Sequence, residues 1–216
     1  MPVPAGGAAH HAPPQLPKPA ALTLRQEIAR KLIHLGSASL PISWGLGVLS
    51  PETLRTLLTV ALSVAVLVEG ARRLSAPAAR MFDRLVGSML RIHERDNITG
   101  ATWLAASMLA ALVILPPTAA IIALWAAAVG DGSASIAGRL ASHSRGSHHS
   151  GKTMVGSLAC LATTAAGALW FTDATILVAL AIGAVTAAAE RPSGMIDDNV
   201  RVTVAAGLAA WVLGVA

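Results

Sequence analysis

The chain has a single cysteine, Cys160, among 216 residues. An intrachain disulfide is thereby excluded, and the place of Cys160 in an apolar run assigns it to packing rather than redox chemistry. Charge is also scarce: Asp, Glu, Lys and Arg make up 12% of the residues against 54% hydrophobic ones, and the mean hydropathy is +0.63. Too little charge is present to coat a water-bounded core. The composition predicts an all-α, polytopic membrane protein. Residues 1–22 lack any apolar run and carry one charge, Lys18, in a stretch rich in Pro, Ala and Gly. Neither a signal peptide nor a structured element fits there, so the reading is a disordered tail before a transmembrane domain over 23–216.

Uncharged runs occupy 32–49, 56–68, 97–130, 153–172, 174–189 and 202–216. At ~1.5 Å per residue the third run far exceeds a ~30 Å hydrocarbon core, and Pro116-Pro117 in its middle marks a hairpin turn. Seven spans result. Placing the N-terminus in the cytoplasm puts every Lys and Arg except Arg55 on the cytoplasmic side, the distribution expected of short loops. The net charge of +5 therefore reads as topology and attraction to anionic lipid, with no nucleic-acid role. Within the inner segment 71–97, Met81-Phe82, Leu85-Val86 and Met89-Leu90 recur at three-to-four spacing among Arg80, Asp83, Arg84 and Arg91. That pattern is an amphipathic interfacial helix, either a lipid-entry element or a membrane-hugging connector.

Gly146–Thr153, Gly-Ser-His-His-Ser-Gly-Lys-Thr, fits the phosphate-loop pattern G-x-x-x-x-G-K-[ST]. The β-strand that should precede a true phosphate loop is missing; an apolar helical run over 119–130 stands there instead. A glycine-flanked loop, a lysine and a helix N-terminus still suit a phosphate group. The segment is read as part of a cytoplasmic nucleotide loop, 139–152.

Polar residues collect on the same face. Offsets of three and seven set Glu27, Arg30 and His34 along one side of the first helix with Lys31 beside them, while Glu69 and Glu94 flank neighbouring spans. Asp131, in Gly-Asp-Gly-Ser-Ala-Ser, falls inside a predicted span, where a carboxylate is costly unless paired, metal-bound or wet. Glu190, Asp197, Asp198 and Asn199 supply further oxygens. Mg²⁺ takes one or two carboxylates plus phosphate oxygens, so Asp131 with Asp198 or Glu190 suits a nucleotide-bound Mg²⁺. Asp198 or Asn199 equally suits a helix N-cap. Lys152 and Arg139, with Arg145, are placed to counter phosphate charge. His143, His148 and His149 lack the spacing of a zinc site. Gly132 and Gly138 admit either close helix packing or close approach of a nucleotide.

These residues resemble a family. Glu27-x-x-Arg30-Lys31-x-x-His34, Glu94 with Thr99-Gly100-Ala101-Thr102, Gly130-Asp131-x-x-Ala134-x-x-x-Gly138-Arg139, Lys152-Thr153-x-x-Gly156-Ser157, and Glu190 with Asp198-Asn199 stand in the order found in polyprenol kinases. That group includes dolichol, phytol and farnesol kinases and the CTP-dependent diacylglycerol kinase. The resemblance covers roughly 25–205 and is most specific from Asp131 to Ser157. It implies an integral-membrane enzyme that moves the γ-phosphoryl group of CTP, or another nucleoside triphosphate, to a lipid alcohol, with Mg²⁺ as cofactor.

On that resemblance Asp131 and Asp198 hold the metal, and Asp131, Asp198, Asn199 and Glu190 carry the chemistry. Lys152, Arg139, Thr153, Gly156, Ser157 and Gly132 bind the nucleotide, and Arg30, Lys31, His34 and Glu94 line the lipid side. Two positions depart from the pattern. The family's acid in Lys-Ser-x-Glu-Gly-Ser is replaced by Val155, so its role is not carried over, and Thr203 stands near the place of a proline. A CTP:phosphatidate cytidylyltransferase would share the co-substrate, but the expected acidic signature near the C-terminus is absent. A small transporter using Asp131 as an ion site would favour an inverted repeat, and none is evident.

Overall fold

The computed structural model describes residues 23–91, 94–144, 152–192 and 196–215, which are folded as helices joined by turns and short irregular segments. The centre is one unbroken helix of 28 residues, made of α6 (Pro117–Trp125), a π-helical turn (Ala126–Gly130) and α7 (Asp131–Ser144). Its most apolar stretch is 72% buried by neighbouring helices, against 17% for α3 (Pro51–Leu74), so the first is the axis of the bundle and α3 lies at its edge. Among the described residues, these and α8 (Met154–Phe171) are the helices long and apolar enough to cross a membrane. Val60, Val64 and Leu67 of α3 and Trp170 of α8 face outward. Such large apolar surface is stable when lipid solvates it. This is a membrane protein.

α5 (Gly100–Ile114), α9 (Ile176–Glu190) and α10 (Asp198–Val212) have 15 residues each. At ~1.5 Å per residue each measures about 22 Å, less than a ~30 Å core. Small residues let them close on the axis. A Cβ on Gly183 of α9 would lie 2.5 Å from the Leu161 carbonyl oxygen of α8, and one on Gly156 would lie 2.6 Å from that of Ala134. Any larger residue there must push two backbones apart.

Several expected boundaries move. The run 32–49 is two helices, α1 (Leu24–Gly36) and α2 (Ser39–Gly45), because Pro41 has no N–H to continue a ladder from α1 and its ring crowds the preceding turn. The run 56–68 extends to Pro51–Leu74, since Glu69 is neutralised by Arg72 at 2.7 Å and Arg73 at 2.6 Å within the helix. The hairpin at Pro116-Pro117 is present: α5 ends at Ile114 and α6 starts at Pro117, which needs no N–H at the first helical position. The described part of the segment 71–97 holds the end of α3, then α4 (Ala76–Val86) and a following 3-10 turn (Gly87–Met89). Met81 and Leu85 of α4 face outward while Phe82 and Val86 turn in. The tail 1–22 lies outside the described residues.

Side-chain contacts tie the start of α1, the end of α3, the start of α8, the end of α9 and the start of α10 to one end of the bundle. Arg55, at the start of α3, points to the Leu112 carbonyl near the other end.

Candidate functional site

Asp131 is wholly buried and lies in the turn where the central helix changes register. Its N–H donates to the Ala126 carbonyl, five residues back, instead of to Ala127. The Ala127 carbonyl instead accepts from His34 Nε2 at 2.7 Å, which fixes the ring proton on that nitrogen because a carbonyl cannot donate. Lys31 Nζ donates to Asp131 Oδ2, and Lys31 is 2% exposed. Lys31 therefore neutralises the buried aspartate and does not reach the lipid side expected of it. Asp131 Oδ1 has no hydrogen-bond partner among the described residues.

Beside this pair a chain of alternating charges joins α1, α9 and α10 through Arg91 and Lys152, which lie outside the helices. Arg30 meets Glu27 at 3.0 Å, Glu27 meets Arg91 at 3.2 Å, and Arg91 meets Asp198 at 3.8 Å. Lys152 closes the chain, 3.4 Å from Asp198 and 2.5 Å from Glu190. Burial pushes the Glu27 carboxyl up, but Arg30 and Arg91 outweigh it and bring the pKa down to about 2. Burial likewise opposes charge on Asp198, yet Lys31, Arg91 and Lys152 hold its carboxyl well below the usual range. Lys152 is shifted the other way: burial lowers it, and Asp198, Glu190 and Asp131 more than restore it, so it stays protonated.

Asp197, not Asp198 or Asn199, is the N-cap of α10, its side chain accepting from the Asn199 N–H at 3.0 Å. That division of labour frees Asp198 to face the cations.

Two cavities flank the network. The polar one, of about 100 Å³, is bounded by Glu27, Arg91, Gly138, Arg139, Lys152, Thr153, Gly156 and Glu190 among others. It has room for roughly three waters, the scale of one phosphoryl group. Arg139 has no ion-pair partner among the described residues, so it is the cation there most available to an anion. Gly138 leaves room for the Thr153 hydroxyl, which would lie 2.9 Å from a Cβ. That hydroxyl caps α8 by accepting from the Gly156 N–H. The second cavity, of about 330 Å³, is mainly apolar and lies between α1, α4 and α5.

The structure thus gathers Arg139, Lys152, Thr153, Gly156 and Glu190 at the polar cavity and Arg30, His34, Glu94 and Asn199 at the apolar one. Two expected nucleotide contacts fall elsewhere. Gly132 packs under Leu35, whose Cδ2 would be 2.7 Å from an added Cβ, and the Ser157 hydroxyl is spent on the Thr153 carbonyl at 3.2 Å. Both serve helix packing. Arg139 belongs to α7 rather than a loop, because that helix runs on to Ser144. Gly146 to Gly151, with Arg145, His148 and His149, lie outside the described residues, and Val155 is on the exposed side of α8.

Arg91 was absent from the expected set. Its two anionic partners are 64 and 107 positions away in sequence, and no local spacing announces them. Among the described residues no three His, Cys, Asp or Glu side chains gather as a metal cage. Asp131 Oδ1 is the one buried carboxylate oxygen left without a partner among the described residues, and Asp131 lines neither cavity. No protein-family model, curated protein or solved structure matches this chain.

Proposed function

We propose that the protein is an integral-membrane kinase that transfers the γ-phosphoryl group of CTP, or of another nucleoside triphosphate, to a lipid alcohol of the isoprenoid type. The observation that carries this reading is the shared wall of charge between a phosphate-sized polar cavity and an apolar one: Glu27 and Arg91 border the first, and Arg30, bonded to Glu27, borders the second. A phosphoryl donor and an apolar acceptor can meet across such a wall. Phosphoryl transfer asks for positioning and charge stabilisation more than for covalent help from the protein.

In this reading Arg139 and Lys152 hold phosphate oxygens. Asp131 and Asp198 are the carboxylates for the Mg²⁺ that travels with the nucleotide, and that ion supplies charge neutralisation on the phosphates. An incoming triphosphate draws Lys152 away from Glu190, leaving that carboxylate to take the proton of the attacking hydroxyl. The chain is read as crossing seven times, with the run 32–49, the end of α1 and α2, making the first crossing. The N-terminus and the polar end lie on the cytoplasmic side, in keeping with the cation distribution.

The test is direct. Purified protein supplied with γ-phosphate-labelled CTP or ATP and a panel of lipid alcohols yields a labelled lipid phosphate and released nucleoside diphosphate. Arg139→Gln lowers that rate by about a hundredfold. Nucleotide-lipid product with pyrophosphate, or no lipid product with any donor, overturns the reading.

A further inference from the structure

The row of apolar side chains that α3 turns outward, Val60, Val64 and Leu67, runs on to Leu74, 90% exposed at the last residue of the helix. There the chain leaves the axis of α3. Ser75 is extended, and α4 starts anew at Ala76 with Pro77 in its first turn. α4 therefore begins where the lipid-facing row of α3 ends, beside Arg72 and Arg73.

At about 100° per residue, the side chains of α4 divide among four sides. Ala79, Phe82 and Val86 form the inner one, and Phe82 and Val86 border the apolar cavity. One flank carries Met81 and Leu85, 64% and 70% exposed, and the opposite flank carries Asp83. Arg80 and Arg84, one turn apart, occupy the side away from the bundle. Both are exposed, and neither has an ion-pair partner among the described residues. The order of depth follows: Met81 and Leu85 lie in hydrocarbon with Leu74, Asp83 lies in water, and the two arginines between them point sideways into the leaflet at headgroup level.

Little else holds α4 in place. It has no buried residue, and its inner side meets a cavity instead of a packed core. The Arg72 guanidinium, 5.1 Å from the centre of the Phe82 ring, ties it to α3. Two guanidinium forks at headgroup level suit phosphate oxygens. A zwitterionic headgroup offsets its phosphate with its own ammonium group, whereas an anionic headgroup leaves that charge to the arginines.

We infer that Arg80 and Arg84 form a binding site for the phosphate of an anionic phospholipid, and that this lipid seats α4 against the bundle and thereby holds one wall of the apolar cavity in place. The site needs neither nucleotide nor phosphoryl transfer, so it stands or falls apart from the kinase reading.

The experiment uses the full chain in nanodiscs of phosphatidylcholine alone or with about a third of phosphatidylglycerol, and follows amide hydrogen exchange across 76–86. An arginine drawn to an anionic surface is worth roughly a fivefold shift, so phosphatidylglycerol is expected to slow that exchange about tenfold or more. Arg80→Gln with Arg84→Gln abolishes the difference between the two lipids and leaves exchange in α10 as it was, while Asp83→Asn, on the flank that faces water, preserves the difference. Equal exchange in both lipids, or a lipid dependence that survives the double variant, overturns the proposal. Equal slowing by soluble glycerol phosphate in phosphatidylcholine nanodiscs would make this a site for free anions and overturn the lipid assignment. Intact phosphoryl transfer with no lipid dependence in 76–86 would overturn this site and leave the kinase reading standing.

Discussion

Lys31 and Asp131 allow stability and chemistry to be pulled apart. Removing one member of a buried ion pair strands the other charge in a medium of low dielectric, a loss of about 3 kcal/mol or more. Asp131→Leu is therefore expected to lower the melting temperature sharply. Replacing both members with apolar residues of similar volume, Lys31→Met with Asp131→Leu, removes the stranded charge and restores most of that stability. Transfer should stay abolished in the double variant, because no carboxylate is left at the position. Recovery of activity along with stability would reduce Asp131 to a structural role.

Glu27 makes a second prediction at this scale. Its carboxyl titrates at about 2 in the folded protein against an ordinary 4.5. A depressed acid contributes stability that is complete above its unfolded pKa and lost as the pH falls through the folded one, here between roughly 4.5 and 2. The contribution is on the order of 3 kcal/mol. Glu27→Gln should flatten the acid limb of a thermal-stability profile in that window; an unchanged limb would place the acid sensitivity elsewhere.

Among the helices, the π turn at Ala126–Gly130 leaves the Ala127 carbonyl to His34. A π turn absorbs one extra residue while the flanking helix keeps its register, so deleting Ala128 restores an α ladder without turning Asp131 away from Lys31. His34 then loses its acceptor, because the ladder takes up the Ala127 carbonyl. Loss of transfer and of thermal stability together is the expected result, and a fully active deletion variant would show the π turn to be incidental.

Nothing in Ala-Ala-Ala-Val-Gly announces a π turn, since its side chains are small and alike and the carbonyl it frees is met by His34, 93 residues away. The hairpin at Pro116-Pro117 was legible because proline acts locally, and Asp131 because a lone acid in an apolar run has few explanations. The two faces of α4 were legible from their spacing, but not that Phe82 and Val86 wall a cavity. Arg91, Asp197 as the cap, and the pairing of Lys31 were not legible, because each depends on which distant helix ends meet.

For the molecule as a whole, the charge network and the membrane crossing make one claim. If the ends bearing Arg30, Arg91, Lys152 and Arg201 face the cytoplasm, the turn between α8 and α9 must face the other side. The chain is well suited to testing this, since Cys160 is its sole cysteine and is buried, so an impermeant maleimide finds little background. Ser144→Cys, at the exposed end of α7, should label only from the cytoplasmic face of sealed vesicles, and Asp173→Cys, in the exposed α8–α9 turn, only from the opposite face. Labelling of both from one side would mean that α8 does not cross. An opposite pair with the sides exchanged would put the phosphate-sized cavity outside the cell, where nucleotide triphosphates are scarce, and the kinase proposal would lose its donor.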